Sequence, residues 1–212
     1  MASDELIRLI ADLKKRESEF VSKGIAMMTF NPSIGRVMEK GTVRKFEELA
    51  WEEVQKLVRV KSLGEFDEFH DDFVSKVMEA IATNKGAKVS YGEAQKPINV
   101  FLKVYVGWAH LPDSTTADRL RPFLHVPLDS VMMKNFRKDF PIPYNQFVLT
   151  TIDAIRRKAN IEELSDRVFL SLNMILIKDH YYAWQKLFRN LYPESPVFLD
   201  FVWSLERRKQ TD

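Results

Sequence analysis

The first feature of the sequence that could carry out chemistry is a lysine in a polar wedge of a helix, a wedge that contains no acidic residue. On a helical wheel, residues 94–110 are apolar over most of the circle, and the remaining wedge holds Gln95, Lys96, Asn99, Lys103, Gly107 and His110. Lys96 lies near the positive end of its helix, and Lys103 follows two turns later on the same side. Both features disfavour the charged ammonium, and an uncharged lysine is an amine nucleophile. The wedge is either a solvated stripe on a nearly buried helix or the lining of a cleft for an anionic or polar ligand.

Two other groups of residues carry metal-binding or acid–base side chains. The stretch 65–72 has carboxylates and a histidine three or four residues apart, a spacing at which helical side chains can share a metal. Because acids in a first helical turn are favoured by the helix dipole in any case, we interpret this stretch as a solvated acidic face and predict no metal site. His180 is interpreted as a packed or surface residue. His125 either approaches Lys96 in the folded protein or orients the loop before Pro127.

The elements that must position these residues are predicted to be helices. Ser62 and Ser90 are each followed three residues later by a glutamate, which is the capping-box pattern of a helix start. Pro127 is predicted to be the first residue of another helix, with Asp129 in its first turn. Pro141 is predicted to end that helix.

The rest of the chain is also predicted to be helical, with one ambiguous stretch. A first helix is predicted to extend to about Ser22, followed by a loop over 24–41 and a second helix from Thr42. A last helix is predicted over 197–208. Residues 168–177 suit either a helix or a buried strand, and we favour a helix because the flanks are helical.

Composition limits the class of protein. Of 212 residues, 45% are hydrophobic and 29% charged, as in ordinary globular proteins, and seven glycines are too few for a turn-rich all-β fold. The absence of cysteine excludes disulfides and iron–sulfur clusters and fits a reducing compartment. A net charge of +2 argues against a strongly basic DNA-coating protein but leaves room for a local basic patch. No glycine-rich phosphate loop or nucleotide fingerprint is present, and we predict no cofactor.

The sequence predicts an all-α protein of the cytoplasm. The N-terminus begins acidic and does not resemble a signal peptide, and the longest apolar stretch is too short to cross a bilayer. We therefore expect an intracellular monomer without membrane contact, associated with the nucleoid if it binds DNA. We expect a single compact helical unit over 1–212, a two-lobed bundle with a cleft between lobe 42–140 and a lobe of 1–41 plus 141–212.

Two segments resemble the catalytic core of the helix-hairpin-helix DNA glycosylase superfamily. They are GEAQKPINVFLK at 92–103 and LRPFLHVPLDSVMMKNF at 120–136. In that family a lysine opens the helix after a hairpin, and an aspartate follows in a Pro-hydrophobic-Asp motif at the start of another helix. The matching residues are Lys96 and Asp129. The Gln95–Lys96 pair and the long insert are most similar to the archaeal 8-oxoguanine glycosylase branch, which has no iron–sulfur cluster.

The resemblance extends to the C-terminus and implies further site residues. The segment PVFLDFVWSLER resembles a helix whose aspartate and tryptophan hold the damaged base, which gives these roles to Asp200 and Trp203. Gln95 and Asn99 are implied as further substrate contacts. The DNA backbone is expected to contact Gly92, Lys103, Lys134, Arg137 and Lys138. The usual Leu-Pro-Gly-hydrophobic-Gly hairpin is replaced here by residues 89–92, VSYG.

The resemblance implies a base-excision glycosylase with lyase activity on double-stranded DNA that carries a damaged base. Lys96 is expected to attack the sugar of a flipped nucleotide and form a Schiff base, while Asp129 orients or deprotonates the lysine. The alternative is a non-catalytic helical protein that binds nucleic acid or another protein through the same cleft. An unrelated helical enzyme or scaffold is the third possibility.

Overall fold

A computed structural model describes residues 4–158, 175 and 177–202 of the chain. These residues form ten named α-helices and two isolated β-bridges but no strand, which confirms the predicted all-α class. Most of the ambiguous stretch 168–177 lies outside the described residues, as does the last predicted helix from Trp203 onward. Within the described part, no helix is both long enough and apolar enough to pass through a bilayer.

The named helices are α1 (Asp4–Lys15), α2 (Glu17–Ser33), α3 (Thr42–Val54), α4 (Leu63–Ala80), α5 (Tyr91–Leu102), α6 (Ser114–Leu120), α7 (Ser130–Asp139), α8 (Pro141–Phe147), α9 (Asp153–Lys158) and α10 (Lys178–Leu191). From α1 to α9 the helices follow one another with short connections. Single 3₁₀ turns occupy Gly35–Val37, Leu57–Arg59 and Arg121–Phe123, and wider π-helical turns occupy Lys103–Trp108 and Val148–Ile152. Residues 198–202 are helical again.

The N-terminal region differs from its prediction. The predicted single helix is interrupted at Arg16 and so divides into α1 and α2, and α2 continues to Ser33 through much of the predicted loop. The reason is tertiary burial, because three apolar side chains of this segment lie in the core (Ile25, Ala26 and Phe30). Their burial outweighs the low helix propensity of Gly24, and Pro32 falls in the last turn, close to the helix end.

The two predicted capping boxes are formed to different extents. At the start of α5 the box is complete, because the Ser90 hydroxyl accepts from the Glu93 amide while the Glu93 carboxylate accepts from the Ser90 amide. At α4 the Ser62 hydroxyl accepts from the Glu65 amide at 3.3 Å, but the Glu65 carboxylate accepts from the amide of Lys61 instead. The capping-box prediction therefore located both helix starts.

The predicted start of α7 at Pro127 is wrong by three residues. Residues 124–129 have no regular secondary structure, and the helix begins at Ser130 with Asp129 as its N-cap. The Asp129 backbone is extended, with φ −148° and ψ 168°, and one carboxylate oxygen accepts from the Met132 amide at 2.7 Å. An aspartate in this position satisfies an amide that has no partner inside the helix, which is why the helix begins after it.

The buried apolar side chains of the described residues form one cluster that draws on both predicted lobes. One part is built from phenylalanines, with the Phe46 ring centroid 5.0 Å from Phe30 and 6.1 Å from Phe101 of α5. Another part surrounds Trp184 of α10, whose ring lies 4.7 Å from Phe147. Helix α5 passes between these groups, so its side chains reach α4, α10 and the segment before α7.

Candidate active site

The side chains of Lys96 and Asp129 meet although they are 33 residues apart along the chain. The Lys96 Nζ lies 3.1 Å from Oδ2 of Asp129, and the two side chains are 17% and 15% exposed. The other carboxylate oxygen, Oδ1, is the one that caps α7. Because the cap fixes the orientation of the carboxylate, Oδ2 is held towards the lysine. The pair joins an amine to a group that can accept its proton, and both remain partly accessible.

Gln95 and Asn99, predicted substrate contacts, lie in the interior beneath Lys96. The Gln95 side chain is fully buried, and its amide nitrogen donates to the carbonyls of Gly92 at 2.8 Å and Leu128 at 3.1 Å. Its oxygen accepts from the Asn99 amide at 2.7 Å. Both residues therefore hold the protein together from within, and a direct contact with a substrate would require these bonds to break.

The main chain just before Asp129 forms hydrogen bonds with two glutamine side chains, as it would with a neighbouring strand in a sheet. Gln185 of α10 donates to the Val126 carbonyl and accepts from the Val126 amide, both at 2.9 Å. Two residues later, Gln95 makes the corresponding bonds to the Leu128 carbonyl at 3.1 Å and amide at 3.4 Å. Buried main-chain groups require partners, and inside a helical core two side-chain amides provide them. The geometry of Asp129 thus depends on both α5 and α10.

A buried network of polar rings extends from Asn99 towards α4. The Asn99 amide donates to the Tyr181 hydroxyl at 2.8 Å, and the same hydroxyl lies 2.8 Å from Nδ1 of His125. The Nε2 of His125 is 2.8 Å from a carboxylate oxygen of Asp67, and Nε2 of His70 is 2.8 Å from the Asn99 carbonyl oxygen. His70, predicted to lie on a solvated face, is instead completely buried, because it faces the core side of α4.

One arrangement of hydrogens leaves no buried N–H of this network unpaired. Nε2–H of His125 donates to Asp67, the Tyr181 hydroxyl donates to Nδ1 of His125, and Nε2–H of His70 donates to Asn99. Only the lone pair on Nδ1 of His70 then lacks a partner. Both histidines are neutral in this arrangement. Burial lowers the pKa of His70 and that of His125 well below the usual range, which agrees with that assignment.

Lys103 and Asp200 form a second lysine–aspartate pair on the same helix face. The Lys103 Nζ lies 2.5 Å from Oδ2 of Asp200, and the two side chains are 11% and 8% exposed. Lys103 therefore binds the C-terminal helical segment and is not presented to a phosphate, while Asp200 is occupied by the ammonium. The predicted base-stacking partner Trp203 lies outside the described residues. Trp108 is an aromatic residue that the sequence analysis missed, 58% exposed and stacked on Phe201 at 5.4 Å.

The remaining predicted DNA contacts divide into one internal and three surface residues. The Gly92 amide donates to the carbonyl of Ile175 at 2.9 Å, so it is used inside the protein and is not offered to a phosphate. Lys134, Arg137 and Lys138 are exposed on α7, the helix that Asp129 caps. The guanidinium of Arg137 also lies over the Tyr144 ring, at 5.6 Å.

Several residues that shape the site were not identified from the sequence. Tyr181 and Gln185 lie four residues apart on the buried face of α10, together with Trp184 and Phe188. That spacing is a signal that both polar groups point into the core, where they must find partners. Their partners, Asn99 and Val126, lie too far away in sequence for any local pattern to indicate them.

Comparisons with family models, curated proteins and solved structures found no significant match to this chain.

Proposed function

We propose that this protein is a DNA glycosylase with lyase activity, in which Lys96 is the nucleophile and Asp129 its proton acceptor. The observation that carries the proposal is the 3.1 Å contact between an amine and a capped carboxylate that arrive from separate helices. The cap on Oδ1 and the Gln95 bonds to Leu128 fix the carboxylate, so its orientation is set before substrate binds. Such preorganisation is what general-base catalysis requires.

The proposed reaction uses the pair in sequence. Asp129 takes a proton from Lys96, and the neutral nitrogen bonds to C1′ of a flipped nucleotide while the C1′–base bond breaks. The base leaves with that electron pair and is protonated. Opening of the sugar ring gives a Schiff base on the lysine, and loss of a C2′ proton expels the 3′-phosphate and cleaves the strand. Asp129 gives its proton to the departing base, and the carboxylate, ionised again, stabilises the positive charge of the Schiff base.

Exposed cations on α7 support DNA as the substrate. Three exposed cations lie on the solvent side of α7, the helix that Asp129 caps: Lys134, Arg137 and Lys138. Met132 and Phe136 of the same helix face the core. This arrangement presents positive charge on the element that also supplies the catalytic carboxylate. Phosphate contacts of this kind orient a duplex and make binding depend on salt.

A non-catalytic binding protein is the second candidate, and a specific observation favours it. The Lys96–Asp129 pair also joins α5 to the start of α7, a purely structural task that a lysine and an aspartate perform in many proteins. The Gly92 amide also favours this candidate, because it already donates to the Ile175 carbonyl and is not offered to a phosphate. In this case the exposed cations of α7 bind a partner and the amine forms no covalent bond.

Borohydride trapping separates the two candidates. The full chain is incubated with duplexes that contain oxidised, alkylated or deaminated bases or an abasic site, and is then reduced. Glycosylase activity predicts a covalent adduct that is lost in Lys96→Gln and strongly reduced in Asp129→Asn. The exposed Lys85→Gln is the matched control, because it removes an amine from a surface turn and is expected to leave the adduct unchanged.

Two outcomes of this experiment would contradict the proposal. The absence of an adduct with every duplex is one. The other is an adduct that survives in Lys96→Gln, because trapping would then occur at another amine. Circular dichroism of each variant shows whether loss of the adduct reflects loss of the fold.

A further inference from the structure

The first helix exposes an apolar face. Leu6, Leu9, Ile10 and Leu13 of α1 are 47%, 56%, 44% and 60% exposed, and their spacing places them on one side of the helix. Phe20 of α2, 72% exposed, continues this face at the seven-residue spacing set by Leu6 and Leu13. We call these five residues the N-terminal stripe. Contiguous apolar surface of this kind marks an interaction site.

A groove lies beside the stripe where α1 is followed by α2. This groove of about 430 Å³ is lined by three stripe residues, with charged residues of alternating sign beside them (Asp12, Arg16, Glu19 and Lys23). An apolar floor with a charged rim is the usual anatomy of a protein–protein interface. The groove therefore suits a helix with apolar residues along its centre and charges of both signs at its edges.

The charge pattern of α1 shows that a second α1 fits this description. Positions 4 and 5 are acidic and positions 14–16 are basic. In an antiparallel pair with Leu6 opposite Leu13 of the other copy, Leu9 lies opposite Ile10 and the acidic start of each helix lies beside the basic end of the other. A parallel pair would place like charges together, and the helix dipoles also favour the antiparallel arrangement.

We propose that two copies of this chain associate through the N-terminal stripe, with their α1 helices packed antiparallel about a two-fold axis. The interface is isologous, so each copy contributes the same stripe and the same charges. The proposal differs from the sequence-based expectation of a monomer, and the oligomeric state decides between them. It does not depend on the proposed glycosylase activity, because the stripe shares no residue with the Lys96–Asp129 site.

Sedimentation equilibrium of the full chain tests the association. The wild-type mass is expected to rise with concentration above the 24.8 kDa of one chain, while Leu13→Glu remains monomeric. Ile142→Glu is the matched control, because Ile142 of α8 is 70% exposed and lies outside the stripe; its mass should follow that of the wild type. Circular dichroism checks that each variant is folded.

Three outcomes of this test would overturn the proposal. They are a wild-type chain that stays monomeric at every concentration, a dimer that persists in Leu13→Glu, and dissociation by Ile142→Glu to the same extent as Leu13→Glu. A monomer that instead co-sediments with anionic vesicles through the stripe would identify α1 as a membrane-surface helix.

Charge reversal tests the antiparallel orientation. Glu5 and Arg16 lie on the same flank of the stripe, and the antiparallel pair brings Glu5 of one copy near Arg16 of the other. Glu5→Lys and Arg16→Glu should each weaken self-association roughly tenfold, whereas an equimolar mixture of the two variants should associate like the wild type. Variants that associate unchanged, or a mixture that fails to recover, would exclude the antiparallel arrangement.

Discussion

Gln95 donates a hydrogen bond of 3.1 Å to the main-chain carbonyl of Leu128, the residue immediately before Asp129. The next residue of α5, Lys96, contacts Asp129 itself at the same distance. Two consecutive residues of one helix thus hold two consecutive residues at the start of another. The amine and the carboxylate are aligned by a buried amide that takes no part in the proposed chemistry.

Replacement of Gln95 by alanine is expected to lower the free energy of unfolding by about 3 kcal/mol. The change leaves the buried carbonyl and amide of Leu128 without partners, and each such group costs about 1–3 kcal/mol. Urea denaturation measures the effect. Gln55→Ala is the control, because the exposed Gln55 follows the last residue of α3 and its side chain donates to the Trp51 carbonyl one turn earlier, a local bond at the surface. Equal losses in the two variants would show that the Leu128 bonds contribute little.

Removal of the Tyr181 hydroxyl is expected to destabilise the protein by about 1–3 kcal/mol, because Asn99 and His125 both lose a partner inside the core. Tyr181→Phe keeps the ring that stacks on His70 at 5.2 Å, so the measurement isolates the hydroxyl. Tyr192→Phe, at a residue 39% exposed, is the control in the same urea titration. A Tyr181→Phe variant as stable as the wild type would contradict the network.

The two buried histidines are expected to make the protein acid-sensitive. Burial lowers the pKa values of His70 and His125 in the folded state, so the unfolded chain binds more protons below pH about 6.5. Their stabilising contribution is therefore complete above that pH and is lost as the pH falls. Each histidine contributes a slope of about 1.4 kcal/mol per pH unit.

Urea titrations between neutral and mildly acidic pH measure this slope. His70→Gln should reduce this slope by about 1.4 kcal/mol per pH unit, because one fewer proton is taken up on unfolding. The groups that face the two rings are Asp67, Asp71, Tyr181, Tyr182, Arg189 and Asn99. Burial raises the pKa of Asp67, which opposes the histidines only at lower pH, where this carboxylate takes up a proton. A slope unchanged in His70→Gln would show that His70 is already protonated in the folded protein.

Loss of one partner of the Lys103–Asp200 pair is expected to cost more than loss of both. Asp200→Ala leaves a buried ammonium near the rings of Trp108 and Phe201 but without its carboxylate, at a cost of about 3–5 kcal/mol. The double variant Lys103→Met, Asp200→Leu should recover most of that loss in thermal unfolding. The exposed Lys45–Glu39 pair is the reference, because Glu39→Ala should cost less than about 1 kcal/mol. A double variant less stable than Asp200→Ala would contradict this prediction.

If the protein binds DNA through α7, substitution of one of its exposed cations should change the salt dependence of binding. Lys134→Gln is expected to weaken duplex binding about equally for all sequences and to reduce the slope of log affinity against log salt by about one. Fluorescence anisotropy over a range of salt concentrations measures both quantities. Lys85→Gln should leave the slope unchanged, and a slope unchanged in Lys134→Gln would remove this lysine from the interface.

Sequence patterns located the helix that carries Lys96 but misjudged two of its neighbours. The capping box at Ser90 fixed the start of α5, because its hydrogen bonds are local. Gln95 and Asn99 were assigned to a ligand-facing wedge because a helical wheel separates polar from apolar residues. Their actual partners are a main-chain segment and a tyrosine far along the chain, and a wheel contains no information about such partners.

The network of polar rings and the start of α7 show the same limit of prediction from local sequence patterns. His70, His125 and Tyr181 come from three separate segments and meet only when the core forms. Pro127 suits a first helical position by its fixed φ, but the aspartate two residues later offers the stronger local interaction, a side-chain acceptor for a free helix amide. Choosing between these two helix starts requires knowledge of the contacts that other segments make with residues 124–129.

The hydrogen bonds of Gln185 to Val126 and of Gln95 to Leu128 also fix the length of this segment. Gln185 and Gln95 bind main-chain groups two residues apart, so a single inserted or deleted residue between Val126 and Asp129 would shift Asp129 out of register with Lys96. Asp129 would then turn away from Lys96 even with every amino acid of the pair intact.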